Sequence, residues 1–320
     1  MPLTREVIER WQVVVYLASI ALGSTVGLVA PSFGARLSFA LWPTLAALLL
    51  VTFLQVPLVH LRSSLADRRA LGALLFGNFV VVPALVWGLS RLLPEEPSLA
   101  LGFFLVMLVP CTDWYVTFTQ LGHGDGRLAL ASTPLLLVAQ LAVLPLLLRG
   151  FLGPGVADAL RAEPFVTAFV GVIVAPLVLA ALLERAASVT ARGRAWLARS
   201  ALAPVPLLGA VLFVITASEI SGILDKAGQL KRVVGLFVVY AGAIPFIGLA
   251  LARRAGLRGP QARTVLFSLG TRNSFVVLPL ALAWPGADIT VAAVVVVQSF
   301  VELAAMTVYL GVLPRLPLGE

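Results

Sequence analysis

The sequence predicts an all-α membrane protein whose ten transmembrane helices form two inverted five-helix repeats, with helices 4 and 9 broken and crossing. Three observations carry that reading: an apolar excess, a division into ten apolar runs, and polar interruptions at matching places in the fourth and ninth runs. Of 320 residues, 60% are hydrophobic and 12% charged, against roughly half and a quarter in soluble domains. The mean hydropathy is +1.03. A single cysteine excludes an intrachain disulfide framework or a multi-cysteine metal site. The formal charge of +8 would suggest nucleic acid in a soluble chain. Here the arginines sit in short loops between apolar runs, so they read as a topology signal and as an attraction to anionic lipid headgroups. Nucleic acid is not an expected partner.

A helical span needs about 20 mainly apolar residues. Such runs cover 11–30, 37–58, 70–90, 98–121, 128–148, 164–183, 201–218, 233–251, 264–284 and 289–310. The breaks between them are charged or rich in glycine and proline: Arg36, then 62–69, 91–96, 122–127, 149–163, 185–199, 225–232, 253–263 and 285–288. The N-terminus lacks the short apolar core and cleavage site of a signal peptide, so the first run is expected to remain as a span. With both termini cytoplasmic, 15 Lys and Arg fall inside and 7 outside, with Arg272 left in the membrane. That is the bias expected of the cytoplasmic side. Residues 1–320 thus read as one transmembrane domain, with repeat one at about 11–150 and repeat two at about 163–312. Five is odd, so the repeats must be inverted, as in many secondary transporters.

The fourth run is interrupted by Pro110-Cys111-Thr112-Asp113 and the ninth by Gly270-Thr271-Arg272-Asn273-Ser274. Such clusters in two inverted halves point to a substrate site near the midplane. Asp113 and Arg272 lie midway along their runs, where a lone charge is costly. They are expected to meet, either as a structural ion pair or as a functional one. In the functional reading Arg272 faces an anionic substrate and Asp113 is counter-charge or proton carrier. Cys111 reads as a small buried hydrophobe, or as a soft ligand for a thiophilic partner. Glu302 is the acid buried in the tenth run, with Gln298 four residues before it on the same face. It is a candidate proton or cation site, or half of a structural pair with an arginine. Asn78, Gln140, Thr112, Thr271, Asn273 and Ser274 could line the cavity or serve interhelical hydrogen bonds. His123 falls in a turn with Gly122, Gly124, Asp125 and Gly126, and His60 at a span end carries no signal. No phosphate loop, zinc-type His pair or nucleophile elbow is present, so the chain is not expected to be an enzyme.

Ten spans in inverted halves with broken spans 4 and 9 resemble the superfamily of bile acid:sodium symporters and arsenite efflux permeases. Cys111-Thr112, Leu121 and Gly124-Asp125 are similar to the permeases' required cysteine and the Leu-x-x-Gly-Asp stretch after it. Arg272-Asn273-Ser274 resembles the symporters' Gln-Asn-Ser, which includes sodium ligands in that branch. The departures are specific. Ser268 stands where the symporters have Glu, Arg272 where they have Gln, and Tyr115 and Val116 where they have a Ser-Asn pair. The permeases' Asn-Asn-Phe-Glu reads Asn273-Ser274-Phe275-Val276. The resemblance therefore implies a coupling proton rather than sodium.

The expectation is proton-coupled efflux of arsenite or a related metalloid oxyanion by alternating access. Cys111 would contact the metalloid, Arg272 would attract its oxygens, and Asp113 or Glu302 would carry the proton. The alternative is sodium- or proton-coupled transport of an organic anion, with Arg272 clamping a carboxylate. A third reading is a membrane receptor built on the same fold. A small inorganic or organic anion and the lipid bilayer are the expected partners of a multi-pass cell-membrane protein, monomeric or homodimeric. No cofactor or resident metal is expected.

Overall fold

In hydrocarbon a chain must satisfy its own backbone, so long apolar runs become helices. The computed structural model describes residues 5–55, 67–112, 114–153, 169–286 and 288–315, with positions 155, 163 and 167. Its α-helices are α1 (Arg5–Val29), α2 (Pro31–Leu37), α3 (Leu41–Phe53), α4 (Arg68–Phe76), α5 (Val82–Ser90), α6 (Pro97–Met107), α7 (Trp114–Leu121), α8 (Gly126–Leu152), α9 (Ala175–Ser188), α10 (Ala191–Ser200), α11 (Pro204–Asp225), α12 (Ala227–Arg254), α13 (Gly259–Gly270), α14 (Ser274–Ala283) and α15 (Ile289–Val312). Among the described residues no strand forms, and six helical stretches are long and apolar enough to cross a membrane. Their outer faces expose large apolar side chains, Phe39 at 78% and Phe246 at 76%. Such surfaces belong against lipid, since in water they would drive association. The protein is an all-helical, multi-pass membrane protein.

Among the described residues two π-helical turns interrupt the α-helices, Gly77–Val81 between α4 and α5, and Phe169–Val174 before α9. The first keeps Arg68–Ser90 one continuous helical stretch and holds Asn78 fully buried. Single π turns of this kind recur at functional sites because they re-aim a side chain without ending the helix. Helix α10 lies where the sequence predicts only a loop. Thr190 caps it by accepting from the Gly193 N–H at 3.0 Å. None of its residues is buried, and Arg192, Arg194, Arg199 and Trp196 give it the composition of a helix lying in the membrane interface. It is too short and too basic to register as an apolar run.

Helix α1 packs along α11, and α3 packs on α9 and α11. The close approach of α1 depends on small residues, as in many membrane helix pairs. A Cβ on Gly27 would lie 2.6 Å from the Ala217 carbonyl oxygen and 2.8 Å from Ile220 Cγ2. Helices α6 and α13 form the interior, with residues 101–107 and 264–270 all buried; α6 packs on α15 and α13 on α12.

Short polar joints fix the ends. After α7, His123 turns at φ 58°, and Gly124 has no room for a Cβ, which would sit 2.6 Å from Thr119 Cγ2. Asp125 accepts the N–H groups of Arg127 and Leu128 at 3.0 Å and so caps α8. Its own N–H donates to the Pro260 carbonyl and to Thr264 Oγ1 of α13. Asp67 caps α4 through the Ala70 N–H and accepts from Gln261 Nε2. Lys226 donates to Glu96 at 2.6 Å, tying the α11–α12 turn to the start of α6.

Gly27→Val is expected to lower stability by about 1–3 kcal/mol through overpacking, read as a fall in melting temperature in detergent. Gly72→Ala, at a helical position with open space around it, should leave the melt unchanged or raise it slightly.

Candidate functional site

Pro110 and Gly270 disfavour continuation of the helices they follow or close. Helix α6 stops at Met107 and α13 at Gly270, and the next helices start at Trp114 and Ser274. The extended segments between them lie against each other as an isolated antiparallel bridge, Pro110 facing Arg272. The Cys111 N–H donates to the Thr271 carbonyl at 3.1 Å, and the Asn273 N–H to the Val109 carbonyl at 2.9 Å. Each segment satisfies backbone groups that the other would otherwise leave bare in an apolar interior.

Side chains complete the junction. Asn273 Oδ1 accepts the Val276 N–H and caps α14, while its Nδ2 donates to Thr112 Oγ1 at 3.2 Å. Thr271 Oγ1 returns to the Phe267 carbonyl. Cys111 is 3% exposed. Asp113 lies outside the described residues.

Arg272 is buried, 1% exposed. One terminal nitrogen, NH2, donates to Asn78 Oδ1, the Ser268 carbonyl and the Leu269 carbonyl, each at 2.9 Å. The other, NH1, makes a longer contact of 3.4 Å with the Met107 carbonyl. Its guanidinium therefore covers the open carbonyl ends of two helices, α13 and α6, where partial negative charge collects. The guanidinium carbon lies 5.9 Å from the Tyr240 ring centre, and the Tyr240 hydroxyl donates to the Leu269 carbonyl at 2.6 Å. Nε has no hydrogen-bond partner among the described residues. Asn78 is itself held by donation from Nδ2 to the Leu74 carbonyl and to Ser268 Oγ.

Glu302 is 3% exposed. Its Oε2 accepts the Arg272 main-chain N–H and Gln298 Nε2, both at 2.8 Å, while Oε1 has no partner among the described residues. A small cavity with room for about one water lies here, lined by Met107, Tyr240, Gly270, Gln298 and Glu302 among others. Gln298 Oε1 accepts from Ser274, and Ser274 accepts from Ser299 at 2.8 Å. Ser274 and Ser299 line a second small, mainly apolar cavity with Tyr16, Leu208 and Leu212.

Cys111, Thr112, Thr271, Arg272, Asn273, Ser274, Gln298 and Glu302 thus form one connected cluster, and Asn78 joins it through Arg272. Gln140, buried on α8, has no hydrogen bond to it among the described residues. Tyr240, Ser268 and Ser299 belong to the cluster without having stood out as lining residues: a tyrosine and isolated serines inside apolar runs give no periodic signal. Tyr115 is buried and shares a hydrogen bond with Ser132 at 3.0 Å.

The model described as Sodium Bile acid symporter family matches residues 42–226. An arsenical-resistance protein, Acr3 of Corynebacterium glutamicum, is 24% identical over 235 residues, covering 69% of this chain and 63% of that protein. The match thus spans less than two thirds of the relative's length. The family match ends before Arg272 and Glu302.

Asn78→Ala removes the acceptor for Arg272 and the donor to Ser268 Oγ in a buried setting. It should destabilise the protein by about 1–3 kcal/mol, measured by thermal or denaturant unfolding in detergent.

Proposed function

We propose that this chain, which belongs to the Sodium Bile acid symporter family and is a transporter rather than an enzyme, exports arsenite or a related metalloid oxyanion in exchange for protons. One observation carries the reading: Cys111, Arg272 and Glu302 are gathered where the extended segments after α6 and α13 pair. Cys111 offers a soft sulfur ligand within the break. Arg272 presents an Nε–H with no partner among the described residues. Glu302 is a buried carboxylate beside a small cavity, with one oxygen lacking a partner among the described residues. In an apolar setting such a group is a natural seat for a proton taken up and released. The arsenical-resistance relative supports the choice of solute.

In this reading the chain has ten spans with both termini in the cytoplasm of the cell. Helices α6 and α7 are the halves of span 4, and α13 and α14 the halves of span 9, in two inverted repeats. The neighbours support that symmetry. Span 1 packs on span 7 through α1 and α11, and span 2 on span 6 through α3 and α9, as an axis exchanging the halves requires. Alternating access would move one helix group against the other around the crossing.

A second reading is ion-coupled transport of an organic anion, favoured by the positive charge of Arg272 and by its Nε–H, which has no partner among the described residues.

In inverted membrane vesicles, an imposed proton gradient should drive saturable arsenite or antimonite uptake. Cys111→Ser should weaken it by roughly tenfold or more, equivalent to about 1.4 kcal/mol in affinity. No metalloid flux, together with organic-anion flux indifferent to Cys111→Ser, transfers the assignment to the second reading. Glu302→Gln should abolish gradient-driven accumulation while leaving solute exchange across the membrane intact. Full gradient-driven uptake by that variant removes Glu302 as the proton carrier.

A further inference from the structure

The Arg272 guanidinium sits in an unusual place for a residue expected to face a solute. Three oxygens from two separate elements, Asn78 Oδ1 of the π turn and the Ser268 and Leu269 carbonyls at the end of α13, converge on NH2 at 2.9 Å. A fourth, the Met107 carbonyl at the end of α6, approaches NH1. All four are neutral oxygens. The nearby carboxylate of Glu302 is turned to the main-chain N–H of Arg272 and to Gln298. Buried carbonyls at the ends of half-helices, joined by a side-chain amide oxygen, are the donor set with which secondary transporters hold a small monovalent cation. Hard oxygen ligands of this kind suit alkali ions.

We infer that Arg272 fills a monovalent-cation cage with its own guanidinium, so that the chain carries covalently a positive charge that would otherwise come from solution. Arg272 is then the residue that decides the coupling ion. With the cage occupied, a sodium gradient has no site to act on at this junction, and the proton remains as the coupling ion. The meaning for coupling rests on the transporter reading above, but the cage itself is tested by cation binding rather than by flux.

The purified full-length protein is melted in sodium, potassium or choline chloride at equal ionic strength. Wild-type curves should coincide in all three. Arg272→Gln removes the tethered cation and leaves the oxygens, so sodium or potassium should raise its melting temperature saturably, by about 3 °C or more over choline. Millimolar guanidinium chloride should do the same for the variant and nothing for wild type. Arg272→Lys retains a tethered cation and should stay indifferent to sodium. If Arg272→Gln does not survive purification in choline, its recovery by extraction in sodium, potassium or millimolar guanidinium is the expected result.

Sodium-dependent stabilisation of the wild type overturns the inference. So does a folded Arg272→Gln protein that melts identically in every cation, or one that no cation recovers. An absence of arsenite flux bears on the solute assignment and leaves the cage standing, whereas sodium-driven flux by wild type sinks the cage while leaving transport intact.

Discussion

A backbone that leaves the helix inside hydrocarbon must find every hydrogen bond within the protein. That requirement organises the centre of this molecule. The segments after α6 and α13 solve it jointly: Cys111 bonds to Thr271 and Asn273 to Val109 across the crossing. Glu302 takes the Arg272 N–H, and the Arg272 side chain takes carbonyls at both helix ends. Neither segment could shift alone without stripping partners from the other. Moving either segment alone would therefore cost hydrogen bonds on both.

The same requirement explains why the central cation is an arginine. Lysine offers one point charge on a flexible stem, whereas guanidinium spreads five donors over a plane. Here that plane reaches an amide oxygen and three carbonyls at once, beside the Tyr240 ring. Partial charges at two helix ends offset a buried positive charge that would otherwise be costly in a membrane interior. Glu302 contributes through the main chain of Arg272, leaving one carboxylate oxygen without a partner among the described residues.

The all-helical membrane class was legible because stretches of about 20 residues without charge have few other stable forms. Pro110 and Gly270 marked where polar residues enter two such stretches, and the described helices end at Met107 and Gly270. Other features depend on tertiary geometry. Asn78 reaches Arg272 from a π turn, and no residue in Gly77-Asn78-Phe79 announces one. Tyr240 sits in a run whose remaining residues are apolar, and Ser268 stands alone between Phe267 and Leu269, short of the polar cluster that marks the break. The direction of the Arg272 head was also not legible: a charge between two apolar halves reads as facing a solute, but its rotamer depends on where the neighbouring carbonyls are left open. Helix α10 escaped because its arginines, read singly, look like loop charge.

The helices divide by the kind of contact that holds them. Helices α1, α2, α3, α9 and α11 pack through apolar and small residues, Gly27 against Ala217 among them. The polar crossing belongs to α6, α13 and α15 with the π turn and α12. The two groups meet where α14 touches α3 and α15 touches α11. The apolar cavity lies at that boundary, between Tyr16, Leu208 and Leu212 on one side and Ser274 and Ser299 on the other. From it an unbroken line of hydrogen bonds runs through Ser299, Ser274 and Gln298 to Glu302. Sliding the groups past each other would reshape the boundary cavity at the cost of dispersion contacts, which re-form in a new register. Opening the crossing would expose unpaired backbone to hydrocarbon. The less costly motion is the one that leaves the junction whole.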